Sequence, residues 1–190
     1  MDGNGGSAAS RLWELDESIV IAAPPEVVFP AVGDVRRMAQ WSPECVGVLV
    51  LRGRGGERPT FVGFNRNGLR YWFTICRVTV ADAPTEFAFR VSVAGLPIAA
   101  WGFRLRAVDE GTEVTQYWQD LRRGGGGRVA DLLGRVAAGT SPQARIRTNR
   151  AGMATTLGRL KRALEAAPSG SGREAPVERV REPRQGTTGR

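Results

Sequence analysis

The sequence has 190 residues, 42% hydrophobic and 24% charged, which is typical of a soluble globular protein with one sizeable core. It contains no histidine, which argues against histidine metal sites and against Ser-His or Cys-His nucleophile chemistry. The net charge of +8 comes almost entirely from scattered arginines, and because these are not interleaved with aromatic residues we expect no nucleic-acid partner.

The two ends of the chain differ in composition from the middle. Residues 1–10 are acidic and rich in glycine, without the apolar stretch of a signal peptide, so we expect a flexible leader and a cytoplasmic protein. Residues 168–190 are rich in Pro, Gly, Arg and Glu and predict a disordered basic tail. The folded domain is then residues 11–167. No apolar run reaches the roughly 20 residues of a membrane span, and Cys45 and Cys76 are expected to be buried thiols.

The first elements are a strand and a short helical segment. Ser18–Ile21 reads as a strand, and Pro24-Pro25 ends it. About two turns of helix should follow, with Glu26 in the first turn, where a carboxylate suits the helix dipole. The segment closes on Trp41. We interpret it as one side of a cavity, with Trp41 near the cavity mouth.

A run of strands follows. Asn67-Gly68 is a strong signal for a hairpin, and the other connections are short, so neighbouring strands should be antiparallel. The predicted strands cover residues 46–51, 60–66, 69–81, 86–93, 100–108 and 112–121. Residues 124–127 are four glycines and predict a linker, and residues 128–138 a short helix.

A long helix is predicted near the C-terminus. Ser141-Pro142 supplies an N-cap and a proline at the first helical position, and the helix should reach about Ala167. Asn149 occupies one slot of an otherwise apolar stripe, and Arg159 is expected on the opposite face. The apolar members of the stripe are Ile146, Met153, Leu157, Leu160 and Leu164. The stripe must face the concave side of the sheet, which makes the fold class α+β.

The order of these elements resembles the START/Bet v 1-like helix-grip superfamily, and within it the bacterial polyketide cyclase/dehydrase and lipid-transport group. Four blocks spread over most of the predicted domain carry the resemblance: SIVIAAPPEVVFPAVGDVRRMAQW, YWFTICRVTVADAPTEFAFRV, WGFRLRAVDEGTEVTQYW and NRAGMATTLGRLKRALE. The resemblance implies a helix-grip fold, in which a curved antiparallel seven-stranded sheet wraps around the long C-terminal helix and encloses a cavity for an apolar, lipid- or polyketide-like molecule.

The candidate ligand-binding residues come from the faces of these elements. Alternation leaves open which face of residues 69–81 lines the cavity, and likewise whether Gln116 or Tyr117 does. Thr74 and Thr115 are further polar candidates. No cofactor or metal is expected. The residues predicted to contact the ligand are Trp41, Tyr71, Phe73, Trp101, Gln116, Trp118, Asn149 and Met153.

Two functions remain open, with a third, an interaction module acting through the basic tail, less favoured. The first is binding of an apolar small molecule, oriented by Asn149 and Gln116. The second is an aromatase/cyclase that favours one aldol cyclisation and dehydration of a polyketide by orienting it. The family's catalytic pattern is incomplete here: Trp118 stands where some members carry a pocket histidine, and alternation puts Arg77 outside. Whether the protein is an enzyme, and its oligomeric state, stay open.

Overall fold

A computed structural model describes residues 14–51, 58–122 and 142–166, with side chains in the last range from residue 144. One strand and a short helical segment come first, six strands follow, and a long helix ends the described part of the chain. Its elements are β1 (Glu14–Ile21), α1 (Pro25–Gly33), a 3-10 turn (Val35–Arg37), α2 (Met38–Trp41), β2 (Cys45–Leu51), β3 (Thr60–Asn67), β4 (Arg70–Asp82), β5 (Glu86–Val93), β6 (Leu96–Val108), β7 (Gly111–Asp120) and α3 (Pro142–Ala166).

The strands form one seven-stranded sheet in the order β1-β7-β6-β5-β4-β3-β2, and every neighbouring pair is antiparallel. The first helical segment carries the chain from the β1 edge to the β2 edge, so the remaining strands return across the sheet as successive hairpins. Register shifts interrupt β2 at Cys45/Gly47, the β4–β5 pair at Val78/Val80 and the β5–β6 pair at Val91/Ser92. Such bulges bend a sheet. The predicted α+β helix-grip fold is confirmed.

Two hairpin turns differ in detail from the sequence prediction. Asn67 pairs with Arg70, so the loop is Gly68-Leu69 rather than Asn67-Gly68. Gly68 has a φ of +60°, as the first central residue of a type II′ turn requires. The β5–β6 loop is Ala94-Gly95, with φ of 48° and 78°. Positive φ at both residues fits a type I′ turn, and it lets β6 begin at Leu96, before the expected Ala100.

The helix α3 lies across the concave face, and its apolar stripe is confirmed. Met153, Leu157 and Leu160 are 1%, 2% and 0% exposed. On the flank, Lys161 donates to the Val20 carbonyl at 2.7 Å, and Glu165 accepts from the Ala22 amide at 2.9 Å. These two contacts fasten the C-terminal half of α3 to β1 and to Ala22, just after the end of the strand.

The face assigned to Arg159 was wrong. The side chain is partly buried and approaches the carbonyl oxygens of Trp41 and Ser42 at 3.4 and 3.5 Å. A long arginine side chain can lay its methylene groups along an apolar surface while its guanidinium reaches polar atoms. In this way α3 also contacts the end of α2.

Several expectations fall outside the described residues. These are the leader 1–10, the glycine segment 124–127, the helix 128–138 and the tail 168–190. Within the described ranges, none of the helices combines the length and the apolar character needed to cross a membrane.

Candidate ligand-binding site

A cavity of about 220 Å³ lies between the concave face of the sheet and the N-terminal half of α3. The helix contributes Asn149 and Met153 to its wall, whereas Leu157 and Leu160 pack in the core beyond it. The two halves of the helix therefore differ in role. One half is packed directly onto the sheet, and the other half stands over an open space.

Aromatic rings form most of the apolar wall on the sheet side. Trp101 and Trp118 are cross-strand partners whose ring centroids lie 6.4 Å apart. Phe61, which is fully buried, packs edge-on against Phe89 at 5.3 Å between centroids. Since tilted and edge-to-face ring pairs are stable geometries, this wall is built from rings that support one another.

The segment from α1 to α2 closes one side of the cavity, as the sequence predicted. Trp41 is 7% exposed and lines the space. Its indole Nε1–H donates to the Ala31 carbonyl at 3.0 Å, which ties the end of α2 to α1. The Arg37 guanidinium lies 5.0 Å from the Trp41 ring centroid. The indole is thus held by a hydrogen bond and by a cation–π contact.

The prediction for Tyr71 and Phe73 needs correction, because β4 presents its other face to the cavity. Tyr71 and Phe73 are 67% and 62% exposed, whereas Trp72 and Thr74 line the cavity. Both faces of this strand carry large apolar residues, so alternation alone was ambiguous. Arg77 shares the face of Tyr71 and Phe73 and is exposed, and a charged side chain at that spacing was the available signal for the outer face.

The other predicted ligand residues line the cavity: Trp41, Trp101, Gln116, Trp118, Asn149 and Met153. Gln116 and Asn149 are 7% and 4% exposed, and the side-chain oxygen of each is buried without a hydrogen-bond partner. A buried polar group left unpaired costs about 1–3 kcal/mol. One lies on the sheet and the other on α3, so each wall of the cavity carries an unpaired polar oxygen in a lining that is mostly apolar.

An ion pair that the sequence analysis did not predict lies at the rim of the cavity. Arg145 on α3 donates to both carboxylate oxygens of Glu44, at 3.0 and 2.6 Å, and its guanidinium lies 6.0 Å from the Trp72 ring centroid. All these residues are half-buried and line the cavity. We therefore place the opening of the cavity here, between α3 and the start of β2.

A second ion pair lies at the end of β7. Arg122 lines the cavity and binds the buried carboxylate of Asp120 through Nε at 2.8 Å and Nη2 at 2.7 Å. This two-pronged geometry is the strongest form of the arginine–carboxylate contact. The buried charge of Asp120 is therefore compensated within the protein.

The thiols that line the cavity do not supply a reactive nucleophile. Burial raises the pKa of Cys76 to about 12, and burial also raises the pKa of Cys45. Both thiols therefore remain protonated near neutral pH, and a thiol is a far weaker nucleophile than a thiolate. In the part of the chain that the structure describes, no group of three His, Cys, Asp or Glu side chains is placed to hold a metal ion.

Tyr117 lies on the outer face of the sheet, which removes it as a cavity residue. Its ring covers Gly102 on the neighbouring strand, and its hydroxyl donates to Glu86 at 2.8 Å. The Arg104 guanidinium lies 4.3 Å from the ring centroid. Burial and the Glu86 carboxylate raise the pKa of Tyr117 to about 12. Between the alternatives left open by the sequence, Gln116 faces the cavity and Tyr117 does not.

Comparison with solved structures supports the same fold. The solution NMR structure of a Polyketide_cyc-like protein from Corynebacterium glutamicum is 28% identical over 80% of this chain and 91% of that chain, with a TM-score of 0.53. The di-domain ARO/CYC BexL from the BE-7585A biosynthetic pathway is 16% identical over 82% of this chain and 51% of that chain (TM-score 0.59). Ara h 8.0201 is 12% identical over 80% of this chain and 97% of that chain (TM-score 0.57). The last two show likeness of fold alone.

At the level of sequence, no curated protein matches this chain. The model of the family described as "Polyketide cyclase / dehydrase and lipid transport" matches residues 13–165, which include every element from β1 to nearly the end of α3. The chain therefore belongs to the polyketide cyclase / dehydrase and lipid transport family.

Proposed function

We propose that the protein binds an apolar small molecule, lipid- or polyketide-like, in the cavity between the sheet and α3. The observation that carries this proposal is the cavity of about 220 Å³ walled by paired aromatic rings, at the place where α3 stands off from the sheet. Ligand pockets are characteristically concave, mostly apolar and provided with a few convergent polar groups. The family description, which includes lipid transport, is consistent with this role.

The test is to fill the cavity without altering the rest of the sheet. Ala99 on β6 is 6% exposed and lines the cavity, so Ala99→Phe places a ring where the ligand would lie. We expect naphthalene, a neutral apolar probe, to bind the wild-type protein and to change the emission of the tryptophans in the wall. Binding to Ala99→Phe should be at least about tenfold weaker.

The matched control is the next residue of the same strand. Ala100 pairs with Gln119 on the outer face, and Ala100→Phe adds the same ring on the side away from the cavity. This variant should bind naphthalene as the wild type does. Equal loss in both variants, or no binding by the wild-type protein, would contradict the proposal.

A second candidate is the aromatase/cyclase activity. It is favoured by the two buried amides, Gln116 and Asn149, because they can hold carbonyl groups of a flexible poly-β-ketone in one arrangement. Orientation would have to carry the effect, since the cavity thiols stay protonated and Tyr117 lies outside. With the wild-type protein, a reactive poly-β-ketone should then give one cyclised product in excess. With Ala99→Phe, it should give the same mixture of products as in buffer alone.

A further inference from the structure

If the cavity binds a ligand, as proposed above, its size and its polar groups indicate the chemical class of that ligand. The volume of the cavity limits the size of the ring system it can hold. An apolar cavity of about 150 Å³ in another protein is large enough for benzene. At about 220 Å³, the present cavity has room for roughly two fused rings, while a longer substituent would have to leave through the opening beside Arg145 and Glu44.

The charges around the cavity indicate that the ligand is neutral. Arg145 is paired with Glu44, and Arg122 with Asp120, at 2.6 and 2.7 Å. Asp34, at the rim, accepts a hydrogen bond from the Arg36 amide and lies 3.6 Å from its guanidinium. A charged ligand would thus enter an apolar space whose charged neighbours are already neutralised, and burying an unpaired charge is costly.

The two unpartnered amides indicate where the ligand is polar. Gln116 on β7 and Asn149 on α3 are each more than nine-tenths buried, and their side-chain oxygens have no partner. An amide has donors and an acceptor, and a hydroxyl group can act as either, so a hydroxyl complements the amide in both orientations. The last torsion of Asn and Gln is broad and roughly two-fold, so a flip of the amide group presents either the oxygen or the NH2 group to a guest.

From these observations we propose that the ligand is a neutral molecule of about two fused rings whose hydroxyl groups bind the amides of Gln116 and Asn149. A sterol-sized or four-ring system is too large for a cavity of about 220 Å³, and an anionic headgroup would meet only arginines that are already paired with carboxylates.

The test compares five ring probes by calorimetric titration of the wild-type protein. Naphthalene reports the apolar cavity, and 2-naphthol adds a hydroxyl. The others are 2-methoxynaphthalene, which lacks the donor, 2-naphthoate, which is charged, and 1-hydroxypyrene, which has four rings. We expect 2-naphthol to bind about threefold to tenfold more tightly than naphthalene. The other three should bind more weakly than 2-naphthol, 1-hydroxypyrene despite its larger apolar surface.

Two variants locate the hydroxyl preference. Since 2-naphthol carries a single hydroxyl, at least one of Asn149→Leu and Gln116→Leu should lower the ratio of 2-naphthol to naphthalene affinity, and the double variant should bring it to about one, while naphthalene still binds. Gln119→Leu is the matched control, since Gln119 lies on the outer face of the same strand and contacts Glu14. That variant should keep the wild-type ratio. Thermal melting accompanies each titration, and where a variant fails to fold, the wild-type probe series still tests the size, the charge and the hydroxyl preference of the ligand.

The outcomes separate this inference from the proposed function. If naphthalene and 2-naphthol bind equally, the cavity binds apolar molecules but the hydroxyl assignment is wrong. Tighter binding of 2-naphthoate than of 2-naphthol would overturn the neutral class, and tighter binding of 1-hydroxypyrene would overturn the size limit. If none of the five binds, the proposed function itself fails.

Discussion

At the scale of single residues, Gly102 shows how the outer face of the sheet constrains its sequence. A Cβ atom at this position would meet the Tyr117 ring, which crosses from β7 over β6 to reach Glu86 on β5. The missing side chain therefore allows one aromatic residue to brace three strands. Cross-strand contacts of this kind are a main source of sheet stability.

We predict that Gly102→Ala destabilises the protein by about 1–3 kcal/mol, because the ring must move and loses its hydrogen bond. Urea unfolding would measure this. Gly47→Ala is the matched control, since nothing lies within 4 Å of a Cβ built there, and its effect should stay within about 0.5 kcal/mol. Similar losses in the two variants would show that glycine is required for another reason.

The raised pKa values of two residues predict how stability depends on pH. Cys76 rises from 9.0 and Tyr117 from 10.0, each to about 12 in the folded protein. The folded state therefore holds these protons more tightly than the unfolded state. The stabilisation is fully present below the unfolded pKa and is lost as pH rises through the interval up to the folded pKa.

We therefore predict that the free energy of unfolding falls between about pH 9 and pH 12, by up to about 1.4 kcal/mol per pH unit for each of the two groups. Urea titrations across this range provide the measurement. Tyr117→Phe should flatten the part of the curve above pH 10, and Cys76→Ala should flatten the part that begins near pH 9. A fall that is unchanged in both variants would assign it to other groups.

At the scale of elements, the division of α3 into a packed half and a cavity half gives the next prediction. Leu157 and Leu160 lie in the packed half, so Leu157→Ala or Leu160→Ala should cost about 2–5 kcal/mol through lost burial and a new void. Arg162→Ala on the exposed side should be nearly silent. Chemical unfolding of the three variants would settle this, and equal costs would contradict the assignment of the buried stripe.

How much the sequence predicted also differs from element to element. The strand order along the chain, the antiparallel pairing and the helix stripe follow from turn residues and apolar spacing, which are local signals. The inner face of β4 does not follow from its apolar residues, because large apolar side chains lie on both faces of the strand, and only Arg77, at the spacing of Tyr71 and Phe73, marks the outer one. The pair Arg145–Glu44 was not predictable either, since the partners stand far apart in sequence and meet only when α3 crosses the sheet.

At the scale of the whole molecule, the cavity exists because the sheet is too curved for α3 to fill along its whole length. The helix is fixed to β1 at its C-terminal end through Lys161 and Glu165. Toward its N-terminal end it is fastened to the other sheet edge by Arg145, which binds Glu44 just before β2. Several half-buried lining residues, among them Glu44, Asn65 and Trp72, lie beside this second fastening, so we expect a guest to enter there.

We predict that Arg145→Ala speeds the exchange of a bound probe more than it changes the fold. Removing the guanidinium opens the rim beside Trp72, so association and dissociation of naphthalene should both accelerate, while the equilibrium affinity changes by less than about threefold. The loss of a partly exposed ion pair should cost roughly 1 kcal/mol or less. Stopped-flow tryptophan fluorescence measures both rates.

Arg150→Ala is the control, since Arg150 lies on the same helix and its ion pair with Glu17 joins α3 to β1, away from the rim. Unchanged rates in Arg145→Ala would place the entrance elsewhere, and equal acceleration in both variants would point to a general loosening of the helix.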